Sequence, residues 1–157
     1  MKHKIDLQKL DAAATELGIK LPDFLRTFYE ERSDLIKRFK ELSRDEDHIT
    51  LSTDFDWILS YNRDFLQLPK TEGPCKNKIC IGTDGCGNDS FIILEDPDKR
   101  VFKLDHEIAN ELIDPDTGDF DWEDERMEKY ASLEDYLREE IKFLEEFRNS
   151  NGYILKK

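Results

Sequence analysis

No stretch of this chain approaches the ~20 apolar residues of a membrane span, and no apolar run of signal-peptide length follows Met1-Lys2-His3-Lys4-Ile5-Asp6. A spanning helix is excluded on that pattern, and a cytoplasmic location is the expectation. Cysteine is scarce. Cys75, Cys80 and Cys86 are odd in number, so a disulfide framework is not expected and the thiols read as reduced. Internal repeats and low-complexity tracts are missing as well. Positive charge is in deficit, with 24 Lys and Arg against 37 Asp and Glu, for a net of −13. Such a field repels nucleic acid and anionic membrane and draws basic partners.

What is present suits one folded domain, residues 1–157. The chain has 157 residues, 38% of them hydrophobic, with ten Phe, five Tyr and two Trp as bulky core material. At that length roughly two thirds of the unfolded surface can be buried. The charge is unevenly placed. Residues 1–104 carry a net of −3, residues 105–147 a net of −13, and the last ten residues add three bases. One segment therefore holds nearly the whole imbalance, either as a solvated face or as a surface for a basic partner.

Periodicity divides the chain into a helical part, about 5–45, a sheet part, about 49–113, an acidic loop, 114–130, and a last helix, about 132–148. Asp6 suits the cap of a first helix whose apolar face is Leu7, Leu10, Ala14 and Leu17, and Gly18 suits its left-handed close. Pro22 opens a second helix with Phe24, Leu25, Phe28 and Tyr29 inward, and Asp34 to Leu42 reads as a third. Ile49 to Thr53 alternates like a strand, and Asp54 caps a short helix over 56–62. Lys70 to Lys78 reads as a surface loop. Ile79 to Ile81, Ser90 to Leu94 and Arg100 to Leu104 read as strands, with a further edge element over 108–113. Ser132 caps the last helix, where Leu133, Leu137, Ile141 and Leu144 form a stripe supported by Tyr136, Phe143 and Phe147, before Gly152 closes the pattern. Consecutive short strands between helices predict an α+β fold, with an antiparallel-dominated central sheet and the N-terminal and C-terminal helices packed around it.

Candidate chemistry is thin. Gly82-Thr83-Asp84-Gly85-Cys86-Gly87-Asn88 has the wrong glycine order for a dinucleotide loop and leads into a strand, not the helix a phosphate needs. The spacing C-x4-C-x5-C departs from the tight paired cysteines of zinc knuckles. Cys86, Asp105 and His106 are the residues from which a nucleophile and a base, or a metal-dependent site, would be assembled. Against that, Asp84 and Asp89 beside Cys86 disfavour a thiolate. Asp114-x-Asp116-x-Gly118-Asp119 with Glu125 is faintly like a calcium loop, but its glycine comes one position early. The richest constellation is aromatic and acidic: Asp114, Asp116, Asp119, Phe120, Asp121, Trp122, Glu123, Asp124 and Glu125. Two rings inside a rim of one charge sign fit a surface for a basic protein, and core anchors fit equally.

Four segments carry a resemblance. Leu17-Gly18-Ile19-Lys20-Leu21-Pro22-Asp23-Phe24-Leu25, Ile81 to Asn88, Val101-Phe102-Lys103-Leu104-Asp105-His106-Glu107 and Ala131-Ser132-Leu133-Glu134-Asp135-Tyr136-Leu137 resemble, in order, four motifs of the SUKH superfamily. These are the Smi/Knr cell-wall-assembly-regulator-like proteins, well represented among bacterial immunity proteins. From the residues, no cofactor or metal is expected; the resemblance implies an α+β fold, no catalytic residues, and a partner that is a cognate protein toxin, often a nuclease. The expectation is an immunity protein, monomeric or weakly dimeric, that binds its toxin through the acidic surface. A non-toxin regulatory or scaffold module is the alternative, and an enzyme or metal-dependent protein built on Cys86, Asp105 and His106 is a third reading.

Overall fold

The structure, a computed structural model, describes residues 5–43, 50–65, 77–84 and 86–150. Helix α1, Leu7–Leu17, starts where the Asp6 carboxylate accepts the N–H groups of Gln8 and Lys9 at 3.1 and 3.3 Å. It ends at Gly18, whose φ of 70° is the left-handed conformation that costs glycine least. Pro22 stands immediately before α2, Asp23–Glu31, and α3, Ser33–Leu42, follows after a single linking residue. Asp54 caps α4, Phe55–Ser60, by accepting from Asp56 and Trp57, and one π-helical turn, Tyr61–Phe65, extends it.

Four strands, β1 (Lys78–Thr83), β2 (Asp89–Ile93), β3 (Val101–Leu104) and β4 (Glu128–Tyr130), form an antiparallel meander in chain order. Cys80 lies opposite Phe91, Phe91 opposite Phe102, and Phe102 opposite Lys129. The outer edge of β1 is blunted by the fully buried Asn62. Its carboxamide accepts from the Cys80 N–H at 2.8 Å and donates to the Cys80 carbonyl at 2.9 Å, standing in for a neighbouring strand. The sequence chooses the faces, because alternate residues point opposite ways. Ile79, Ile81, Ile92 and Val101 share one core with Leu25, Phe28, Phe39, Leu137 and Ile141. Cys80, Phe91, Phe102 and Leu104 form a second core beneath Leu112, Phe120 and Met127. Helix α5, Leu133–Ser150, covers the first core, with Ser132 Oγ accepting the Asp135 N–H at 3.1 Å.

The α+β class and the antiparallel sheet stand as expected. Several boundaries do not. Residues 50–53 are not a strand: Thr50, Leu51 and Ser52 are all buried, so alternation fails, although the Ser52 N–H still donates to the Ile81 carbonyl at 2.8 Å. The edge element over 108–113 is a 3-10 turn, Ala109–Leu112, and a single bridge from Ile113 to Phe120. The acidic loop ends in β4, which pairs with β3 despite carrying no aliphatic residue. Phe143 and Phe147 are exposed, not part of the buried stripe. At about 100° per residue, Phe143 is turned well away from Leu144, which takes the inward position. Ile49, most of the 70–78 loop with Cys75, and Gly152 lie outside the described residues.

Candidate protein-interaction surface

The acidic segment leaves the end of β3 and crosses the face of the sheet opposite the helices. It folds on itself first. Within the turn Asp114–Asp119, the Asp114 N–H donates to the Asp119 carbonyl at 2.8 Å and the Gly118 N–H to the Asp114 carbonyl at 2.7 Å. Gly118 has φ 73°, and Asp114 Oδ1 accepts the Asp116 N–H at 2.8 Å. Hydrophobic anchoring then fixes the segment. Phe120 is only 5% exposed, and Met127 is buried beside it. Trp122, half-buried, meets the rings of Phe91, Phe102 and Phe120 edge to face at 5.4, 5.4 and 5.6 Å.

Two ionic clamps hold the flanks. Lys78, at the start of β1, places its ammonium 2.9 Å from Asp119 Oδ1 and 5.8 Å from the Trp122 ring centre. Asn77 Nδ2 and Trp122 Nε1 donate to the other Asp119 oxygen at 3.1 and 3.4 Å. Burial works against the Asp119 carboxylate, but hydrogen bonds from Lys78, Asn77 and the Phe120 N–H outweigh it and hold the carboxyl below its ordinary range. On the other flank Arg100 bridges the buried Asp96, at 3.1 Å, to Glu123, at 2.7 Å, with its guanidinium 4.9 Å from the Phe102 ring centre. Asp124 pairs with Arg126 at 3.1 Å.

The nine residues picked out by the sequence thus separate into three groups. Phe120 is inside the protein, and Trp122 spends its ring on the second core. Asp119, Glu123 and Asp124 are engaged by Lys78, Arg100 and Arg126. Asp116, Asp121 and Glu125 are exposed and Asp114 is half-buried, and none of the four makes an ion pair with a described base. Asp105, Glu107 and Glu111 add further exposed carboxylates along the same segment. Lys78 and Arg100 are the residues that sequence reasoning missed.

The second candidate set is arranged differently. Asp84 Oδ1 accepts the N–H groups of Cys86 and Asn88 at 2.8 and 3.0 Å, and Asp84 Oδ2 accepts Asn88 Nδ2 at 3.0 Å. Asn88 Oδ1 in turn accepts the His106 N–H at 3.0 Å and faces its Nδ1 at 2.8 Å. Asp105 caps its own turn through the Glu107 N–H. No hydrogen bond among the described residues joins Cys86 to His106 or to Asp105. Behind this hub Lys103 lies 3.3 Å from the buried Glu140 and 3.6 Å from Asp84. Burial opposes its charge, yet these carboxylates hold the ammonium above its ordinary range. Two of the resembling motifs therefore meet in one polar knot that ties the β1–β2 turn to the end of β3 and to α5. Among the described residues no group of three or more His, Cys, Asp or Glu is placed to hold a metal ion, and no helix is long and apolar enough to cross a membrane.

A four-stranded meander with helices on one face and an acidic cover clamped to the other defines an α+β protein with a preformed electronegative surface. The chain belongs to the SMI1 / KNR4 family (SUKH-1), whose family model matches residues 4–139. No curated protein and no solved structure matches the chain significantly.

Proposed function

We propose that this chain is a binding protein of the immunity type, which neutralises a cognate bacterial protein toxin by direct contact through the acidic surface of residues 105–130. One observation carries the reading: a segment of high negative charge is anchored by buried apolar side chains, while Asp116, Asp121 and Glu125 remain exposed and make no ion pair with a described base. A polar segment held in one shape presents its charges without first having to be ordered, which lowers the cost of association. The field it presents suits a basic surface, such as that of a nuclease, and steers the encounter. Family membership is consistent with such a role.

The test follows from which acids are held in ion pairs. Asp116, Asp121 and Glu125 are replaced together by Lys, leaving Asp119, Glu123 and Asp124 in place to hold the fold. Affinity capture from the native host supplies the partner. If the partner inhibits growth, the native chain is expected to restore it, and the triple variant to lose at least about tenfold in affinity and to stop protecting. Undiminished protection by a folded triple variant would remove the acidic surface from the mechanism.

A further inference from the structure

The orientation of one amide fixes the protonation of a ring. Asn88 sits between two groups whose roles are set: the backbone N–H of His106, which only donates, and the ionised carboxylate of Asp84, which only accepts. Burial works against the Asp84 charge, but hydrogen bonds from the Asn88 and Cys86 N–H groups outweigh it and hold the carboxyl below its ordinary range. Turned the other way, the amide would set its NH2 against an N–H and its oxygen against a carboxylate. Oδ1 therefore faces His106, accepting the backbone N–H at 3.0 Å and lying 2.8 Å from Nδ1. A carbonyl oxygen has no proton to give, so Nδ1 is the donor and the ring carries its proton there. The ring also lies against Gly87, where a Cβ would come 3.7 Å from the His106 Cγ.

The other nitrogen is left as an acceptor. With the proton on Nδ1, Nε2 of the neutral ring keeps its lone pair. His106 is exposed, and its Nε2 makes no hydrogen bond or ion pair with a described residue. It stands at the head of the acidic segment, between exposed Asp105 and Glu107. Asp84 in the β1–β2 turn and Asp89 at the start of β2 are the other acids around it, with Lys103 behind them, 3.6 Å from Asp84. A surface that draws cations and offers an unprotonated nitrogen fits the N–H of an ammonium or a guanidinium. We infer that the Asp84–Asn88 relay presents His106 Nε2 as the hydrogen-bond acceptor for a Lys or Arg side chain of a basic partner, a contact that is lost when Nε2 takes up a proton. The contact rests on the acidic surface being the face that meets such a partner; the position of the ring proton does not.

Ring nitrogen shifts in the isotope-labelled full chain, measured by NMR at about pH 7.5, read the tautomer with no partner present. The native ring is expected to be protonated at Nδ1, and Asn88→Ala to move it toward the Nε2–H form. A native ring protonated at Nε2 would overturn the inference. The probe for the contact is an acetylated pentalysine amide, which is expected to shift His106 Nε2. His106→Gln, which keeps a neutral acceptor at similar reach, is expected to retain most of the peptide affinity, and His106→Ala to lose about threefold or more. Native affinity in His106→Ala would overturn the contact. In ordinary surroundings histidine gains its charge between about pH 8 and 5, so from about pH 7.5 to about 5.5 the native chain is expected to lose the same margin and His106→Gln to keep it. The glutamine variant retains His3, His48 and Asp89, whose carboxyl is held above its ordinary range chiefly by burial. A pH step shared by the variant and the native chain would therefore belong to those groups and count against His106. Undiminished peptide binding by the lysine variant at 116, 121 and 125, with the His106 effects intact, would fail the wider surface and leave this contact standing.

Discussion

The two faces of the sheet share the same strands but are closed in different ways. Helices α2, α3 and α5 cover one face with regular apolar stripes, so the buried area is supplied by many side chains spread over long elements. Leu112, Phe120 and Met127 cover the other, with Trp122 packed against them and ionic clamps at the flanks. The difference shows how a highly charged segment can be held to a sheet. A few apolar anchors exclude water, and paired charges at the rim compensate for the burial they suffer. What is left over faces outward as charge.

Matched truncations give the largest expected effect. Phe39→Ala in the helical core and Phe120→Ala under the acidic segment are each expected to destabilise by about 3–5 kcal/mol in denaturant unfolding. They differ in where the loss appears. Phe39→Ala is expected to raise amide hydrogen exchange throughout, whereas Phe120→Ala is expected to raise it first in residues 105–127. Equal, global exchange in both variants would merge the two faces into one cooperative layer.

A smaller effect separates the clamp from the anchors. Lys78 is 5% exposed at its side chain and Asp119 17%, so Lys78→Met leaves a carboxylate buried without its cation, at a cost of about 3 kcal/mol. Adding Asp119→Leu to that variant is expected to recover much of the loss, because apolar replacement of both partners is often neutral. A double variant no more stable than Lys78→Met would mean that the pair does more than compensate its own burial.

Acid supplies the gentlest probe. Both Asp119 and Asp96 are penalised by burial but held below the ordinary carboxylate range by their hydrogen bonds, chiefly from Lys78 for Asp119 and from Arg100 for Asp96. A depressed folded pKa means that the stabilisation is complete above the unfolded value, about 4, and drains as pH falls through the folded value. Between pH 5 and 2 the clamped face is expected to lose protection before the helical face, and Asp119→Asn to remove part of that dependence. Protection lost in the opposite order would contradict the assignment of these carboxyls.

Much of the helical side was legible. Asp6, Asp54 and Ser132 cap helices as their positions beside apolar periodicity indicated, and Leu133, Leu137, Ile141 and Leu144 are buried together. The second face was harder to read for physical reasons. Glu128-Lys129-Tyr130 carries no aliphatic alternation, and its strand geometry comes from pairing with β3. Lys78 meets a partner 41 residues away, so nothing local marks it. Arg100 left a weak trace, four residues after Asp96 across a turn. Phe120 and Trp122 among seven carboxylates fitted both an exposed surface and a buried anchor, because composition does not say which way a ring points. The covering of Phe91 and Phe102 required an apolar roof, and the two rings provide it.

The association rate between the chain and its captured partner, measured across ionic strength, tests the electronegative surface most directly. The native chain is expected to bind more slowly as salt rises, and the triple lysine variant at 116, 121 and 125, still folded, to bind at least about tenfold more slowly at low salt and with a flattened slope. Identical rates and slopes for the two chains would contradict it, and the segment would then be only a charged cover for the sheet.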